Sequence, residues 1–111
     1  MAKKADKKDQ ARLRELIEEA TVDCNEESEE HMGLMNMIEE NVVCPFKAKV
    51  IGEEVEVVEL AAPDTGFGLD AVCRYKGKDY KVDINSLEWP KQKPEGFEWI
   101  EAYQAWRATL G

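Results

Sequence analysis

Apolar residues recur at helical spacing up to about residue 42, alternate at a period of about two from residue 46 to 84, and return to helical spacing near the end. Within the first region, Gln10 to Ala20 is rich in helix formers, and Leu13, Leu16, Ile17 and Ala20 fall on one face. Thr21-Val22-Asp23 breaks that face. Asp23 followed three residues on by Glu26 has capping-box spacing, with Asp in place of Ser or Thr, and predicts a second helix starting near it and running to about Asn41. Met32, Met35 and Ile38 supply its buried stripe, which continues to Val42, and Pro45 imposes an extended entry to the next element.

The alternating region predicts short strands. Phe46 to Ile51 reads as the first, ending at Gly52. Val55, Val57 and Leu60 mark the second, with Glu54, Glu56 and Glu59 facing solvent. Pro63 to Gly68 carries every turn signal. Leu69 to Tyr75 and Asp79 to Ile84 then form a hairpin about Lys76-Gly77-Lys78, and Asn85 to Glu88 is a short turn. Glu95 to Leu110 closes the chain as a helix with Trp99, Ala102, Tyr103, Trp106 and Leu110 in a stripe and Ile100 beside it; the aromatics read as core packing.

These elements predict an α+β fold: a small antiparallel sheet of four or five strands bent into an SH3-like barrel, with two N-terminal helices and one C-terminal helix as its lids. Residues 1–9 read as a charged flexible terminus and 10–111 as one domain, the size expected of a chain of 111 residues.

Charge sharpens the picture. The net charge of −9 is concentrated in residues 15–46, which hold ten acidic residues and no Lys or Arg. Residues 1–14 are net basic, with six basic and two acidic groups. Such a surface repels nucleic-acid phosphate and attracts cations or a basic protein partner. No apolar run is long enough to span a bilayer, and the Lys/Asp-rich start lacks the apolar core of a secretory leader, so a cytoplasmic monomer is expected. Cys24, Cys44 and Cys73 are odd in number and widely spaced, which fits reduced thiols better than a zinc site.

Candidate chemistry centres on Glu26-Glu27-Ser28-Glu29-Glu30, with Asp23 before it and Glu39-Glu40 further along the second helix. Carboxylates at i,i+3 and i,i+4 repel. The helix dipole offsets part of this near the helix start but works against Glu39 and Glu40. Three readings stay open from the residues alone: a solvated acidic face, a site for Ca²⁺, which takes six to eight oxygens, and docking of a basic partner. An EF-hand is excluded. Asp23, Asn25 and Glu27 suit its first, third and fifth positions, but Ser28 stands where Gly is needed and Leu34 where the bidentate Glu belongs. The loop from Asp64 to Asp70 offers two carboxylates and backbone carbonyls that could complete or duplicate a cation site, or simply be a long loop with acidic ends. His31, beside the glutamates, reads as a bystander or a seal on the helix surface. No polar pair forms a defensible acid–base or nucleophilic set, so no enzyme is expected.

In order, the blocks Glu19 to Asp23, the acidic cluster, His31-Met32-Gly33, Ile38 to Asn41, Pro45 to Val50, Gly52 to Val58, Ala62-Pro63, Gly77 and Ser86-Leu87-Glu88 resemble the small non-EF-hand calcium-binding protein family first recognised in cyanobacteria. The resemblance covers roughly residues 18–88. It implies a Ca²⁺ buffer or sensor of mixed helix and compact sheet. Carried over, it implies ligands at Asp23, Glu26, Glu27 and Glu30, with Glu39 and Glu40 beyond them, and a loop contribution from Asp64 and Asp70. The chain departs from the family in that loop, which is poorer in acidic residues, and after Gly33, where Leu34-Met35-Asn36-Met37 replaces an aromatic run. The rival is an SH3-like interaction module presenting an acidic face.

Overall fold

The computed structural model describes residues 7–110. Its elements are α1 (Lys7–Ala20), α2 (Glu27–Asn41), β1 (Phe46–Val50), β2 (Glu53–Ala61), β3 (Asp70–Tyr75), β4 (Lys78–Asp83), a single 3-10 turn (Ile84–Ser86) and α3 (Phe97–Thr109). Of the terminus expected to be flexible, 1–6 lie outside the described residues, and 7–9 are already helical.

The helix boundary before α2 corrects the capping expectation. The backbone of Cys24 bonds the Thr21 carbonyl, and Asp23 takes a left-handed φ of 66°. Asp23 therefore belongs to the turn that ends α1, where a left-handed residue is common. Glu26 occupies the N-cap position of α2 without a side-chain cap bond. Gly33 then sets the rotation of α2: a Cβ there would collide with the Ala20 carbonyl oxygen at the end of α1. With that contact made, His31, Leu34, Met35 and Ile38 turn inward, while Met32, expected to be buried, is 54% exposed.

The strands form one antiparallel sheet in the order β1-β2-β3-β4. Ala48 opposes Val55 and Val57 opposes Cys73, and these four lie buried on the face that α2 covers at β2. The other face carries Lys47, Glu54, Glu56, Arg74 and Asp79, with ion pairs Lys47–Glu54 and Arg74–Asp79. A bulge at 57–59 shifts the β2–β3 register by one residue. α3 packs on both α1 and α2, bringing buried Trp99, Ile100, Tyr103 and Trp106 into the shared core.

The sheet is open, which overturns the SH3-like barrel. β1 and β4 do not pair; after β4 the chain turns through Ile84–Ser86 and meets the outer edge of β1 at a single bridge, Lys49 with Glu88. Helices supply the second layer that a barrel would obtain by curling on itself, so the apolar sheet face is covered without closure.

The two tight hairpins, β1–β2 and β3–β4, use two-residue turns with positive φ at both positions, Ile51-Gly52 and Lys76-Gly77. At Ile51 (φ 49°) a β-branched side chain stands in a left-handed conformation and is 89% exposed, gaining nothing from packing. Ile51→Asn should therefore stabilise the fold by about 1 kcal/mol, raising Tm by roughly 4 °C in a thermal melt followed by circular dichroism. An unchanged or lower Tm would refute the strain.

Candidate functional site

Among the described residues, His31 is the one polar or charged residue that is buried, at 4% exposure. Its ring stacks on Trp106 at 5.9 Å and meets the edge of Phe67 at 5.7 Å. Its Nε2 lies 2.8 Å from the Gly68 carbonyl oxygen. That oxygen can only accept, so Nε2 carries the hydrogen. The Tyr103 hydroxyl donates to the neighbouring Phe67 carbonyl at 2.8 Å. Two consecutive carbonyls of the loop after β2 are thus held by α2 and α3, and Phe67 fills the space between them. On the other side of the same aromatic box, Trp106 Nε1 donates to Glu30 Oε1 at 3.0 Å, leaving Glu30 a second oxygen.

This arrangement brings the acidic start of α2 and the acidic loop onto one aromatic anchor. Asp23, Glu26 and Glu27 are exposed around the α2 start, and Glu30 is half-buried beside Trp106. Asp64 is exposed in the loop. Asp70, half-buried, is directly opposite Asp83 on β4. Like charges directly opposed across strands destabilise a sheet. Neither Asp70 nor Asp83 enters an ion pair with a basic side chain among the described residues; Asp83 accepts the backbone N–H of Asn85 at 2.8 Å. The Tyr103 hydroxyl is held above its ordinary pKa, first by burial and next by the charge of Asp83, with Asp70 adding to it and Arg107 opposing. The carboxylate pair and the loop anchor therefore share one neighbourhood.

Glu39 and Glu40 are not brought to it. They are exposed near the far end of α2, about 14 Å along the axis from Glu30. Asp83 was not among the residues singled out from the sequence, because its significance depends on the β3–β4 register. The anchoring roles of His31, Tyr103 and Trp106 were missed too, since each reads as surface or core until the loop is placed.

The donors are of the right type for Ca²⁺, carboxylate and carbonyl oxygen reaching solvent. Among the described residues no three carboxylate, imidazole or thiol groups are gathered closely enough to hold a metal ion, so the donor set fits in chemistry and is not converged in geometry. Binding would have to draw the loop and helix carboxylates together. Cys24, Cys44 and Cys73 are free thiols. The Cys44 thiol is pushed above its usual pKa by burial and then by Glu59, which disfavours the thiolate needed for metal binding. No described helix is long and apolar enough to cross a membrane.

A family model of the CcbP type, described as calcium binding, matches residues 14–107. Among solved structures, the chain is similar to the crystal structure of Anabaena CcbP, with a TM-score of 0.72 and 19% sequence identity over 96% of this chain and 94% of that one. No curated protein matches it.

Proposed function

The chain belongs to the CcbP-type calcium-binding family, and from that premise we propose that it holds the ion where the loop after β2 meets the first turns of α2. Calcium is the ligand, bound without an EF-hand, and the family is described by ion binding and not by a reaction. The open sheet removes the basis for reading the protein as an SH3-like interaction module. The observation that supports the site is the anchoring of the loop on His31 and Tyr103, beside Glu30 and next to the opposed Asp70 and Asp83. Glu27, Glu30, Asp64, Asp70 and Asp83 form the core of the ligand set, with Asp23 and Glu26 close enough in sequence to extend it. Glu39 and Glu40 lie too far along α2 to share that ion.

Carboxylates that stand apart without the ion and close around it give a site whose occupancy follows free Ca²⁺, suited to buffering or sensing. Mg²⁺ competes poorly, because flexible exposed ligands do not impose its small octahedron. The same acidic surface keeps copies of the chain apart and draws basic partners.

Calcium titration by calorimetry at physiological salt tests the site. Saturable heat should survive about a tenfold excess of potassium and weaken about tenfold or more in Asp70→Asn/Asp83→Asn and in Glu27→Gln/Glu30→Gln. Glu39→Gln/Glu40→Gln should leave it unchanged. Loss in that last variant alone would move the site to the far end of α2, and no saturable heat up to about millimolar Ca²⁺ would overturn the reading for this chain.

A further inference from the structure

Pairing of β1 with β2 stops at Phe46 opposite Val57, yet β2 runs on to Ala61 against β3. The chain before β1 cannot continue the pairing. Pro45 has no N–H, and the backbone of Val43 is bonded instead to the Glu95 carbonyl at 3.1 Å, near the start of α3. Residues 59–61 therefore pair only on their β3 side, and Val58, at the bulge, has no register partner on either side, among the described residues. A groove of about 440 Å³ lies along this free edge, between β2 and α2. Consecutive residues 58–62 line it, whereas a groove on a sheet face would meet alternate ones, so what it exposes is the edge of the strand. Its α2 wall is made by Met32, Met35, Asn36, Ile38 and Glu39. Met32, at 54% exposure, is a large flexible apolar side chain left uncovered at its mouth.

The charge of this groove has one sign. Its only charged lining residues are Glu39 and Glu59, and no Lys or Arg lines it. α2 likewise carries no Lys or Arg along its length.

We propose that the groove between α2 and β2 binds an extended, basic segment of a partner protein, which adds to the sheet as a short strand along residues 58–61. The strand's main chain takes up the free hydrogen-bonding groups of the β2 edge, as in other sheets that accept a peptide at an edge. Alternate side chains of such a strand point to opposite sides. The apolar ones turn toward Met32 and Met35, polarisable side chains that adapt to varied partners. Lys or Arg at the intervening positions meets Glu59, and at the ends of the strand Glu39. The inference does not rest on the calcium site, and it accounts for Glu39, which that site leaves unused.

An eight-residue peptide of alternating lysine and valine, capped at both ends, is a suitable probe in calcium-free buffer. On titration, amide shifts and slowed hydrogen exchange should fall on residues 58–61, with the Met32 methyl group shifting alongside. N-methylation of alternate peptide bonds in the probe, which removes its ability to pair but not its charge, should weaken binding about tenfold or more. Glu39→Gln/Glu59→Gln should weaken it about fivefold. Glu53→Gln/Glu54→Gln, the same charge change at the other end of β2, should not. Equal binding by the N-methylated probe, or shifts spread over residues 23–30 in place of the edge, would overturn the proposal and leave only non-specific attraction to an acidic surface.

Discussion

Gly96→Ala should destabilise the fold by about 3 kcal/mol, lowering Tm by roughly 13 °C. Gly96 is the N-cap of α3 and has φ of 84°, in the left-handed region that a side chain disfavours. Space is the larger obstacle. A Cβ at this position would run into the carbonyl of Asn41, the last residue of α2, and would lie 2.8 Å from the Cα of Val42. Both obstacles are backbone, which cannot swing aside as the tip of a side chain could. The start of α3 and the end of α2 would have to separate, loosening the contact between the helices that carry Ile38, Trp99 and Ile100. Chemical denaturation with an unchanged m-value would give the loss directly. A loss below about 1 kcal/mol would mean that the two helices can part cheaply at this point.

The contrast between what the sequence disclosed and what it hid tracks the range of the interactions involved. Strands were legible because alternation is local. Val55 and Val57 point inward while Glu54 and Glu56 point out, whatever the rest of the chain does. The aromatic stripe of α3 was legible for the same reason. The start of α2 was misplaced because a local signal, Asp23 three residues before Glu26, was overridden by the turn that closes α1. The buried stripe of α2 was right at Met35, Ile38 and Val42 but wrong at Met32, which is exposed while His31 and Leu34 are buried, since the deciding contact, Gly33 against the Ala20 carbonyl, lies between two helices. Sheet closure is longer in range still: strand lengths and turns do not say whether the last segment reaches the first strand along its length or, as here, at Lys49 and Glu88 alone.

The candidate site divides in the same way. Its acidic start on α2 was readable from charge density, and its loop from turn chemistry. Their union was not, because it depends on His31 reaching Gly68, 37 residues away. A histidine among glutamates on a polar stretch gives no hint that it will be buried. Asp83 stayed unseen because facing Asp70 is a property of register, fixed by the Lys76-Gly77 turn and the alternation on both strands.

His31 should then be the side chain on which fold and ion binding depend together. His31→Ala removes the ring that stacks on Trp106 and meets Phe67, and leaves the Gly68 carbonyl without its donor. The expected loss is about 3 kcal/mol, the sum of a cavity and an unbonded buried group. His31→Phe separates the two. It refills the aromatic box but cannot donate, so stability should fall by only about 1 to 2 kcal/mol while the loop loses one of its two anchors. With the loop freer, ordering its carboxylates beside Glu30 adds to the free energy that binding must overcome. Calcium affinity measured by calorimetry should drop about three- to tenfold in His31→Phe. In His31→Gln, whose amide can donate to Gly68, it should recover part of the way. If His31→Phe lost the expected stability yet bound calcium as the parent does, the anchor would serve the fold alone, and the ion would have to be held by carboxylates independent of the loop.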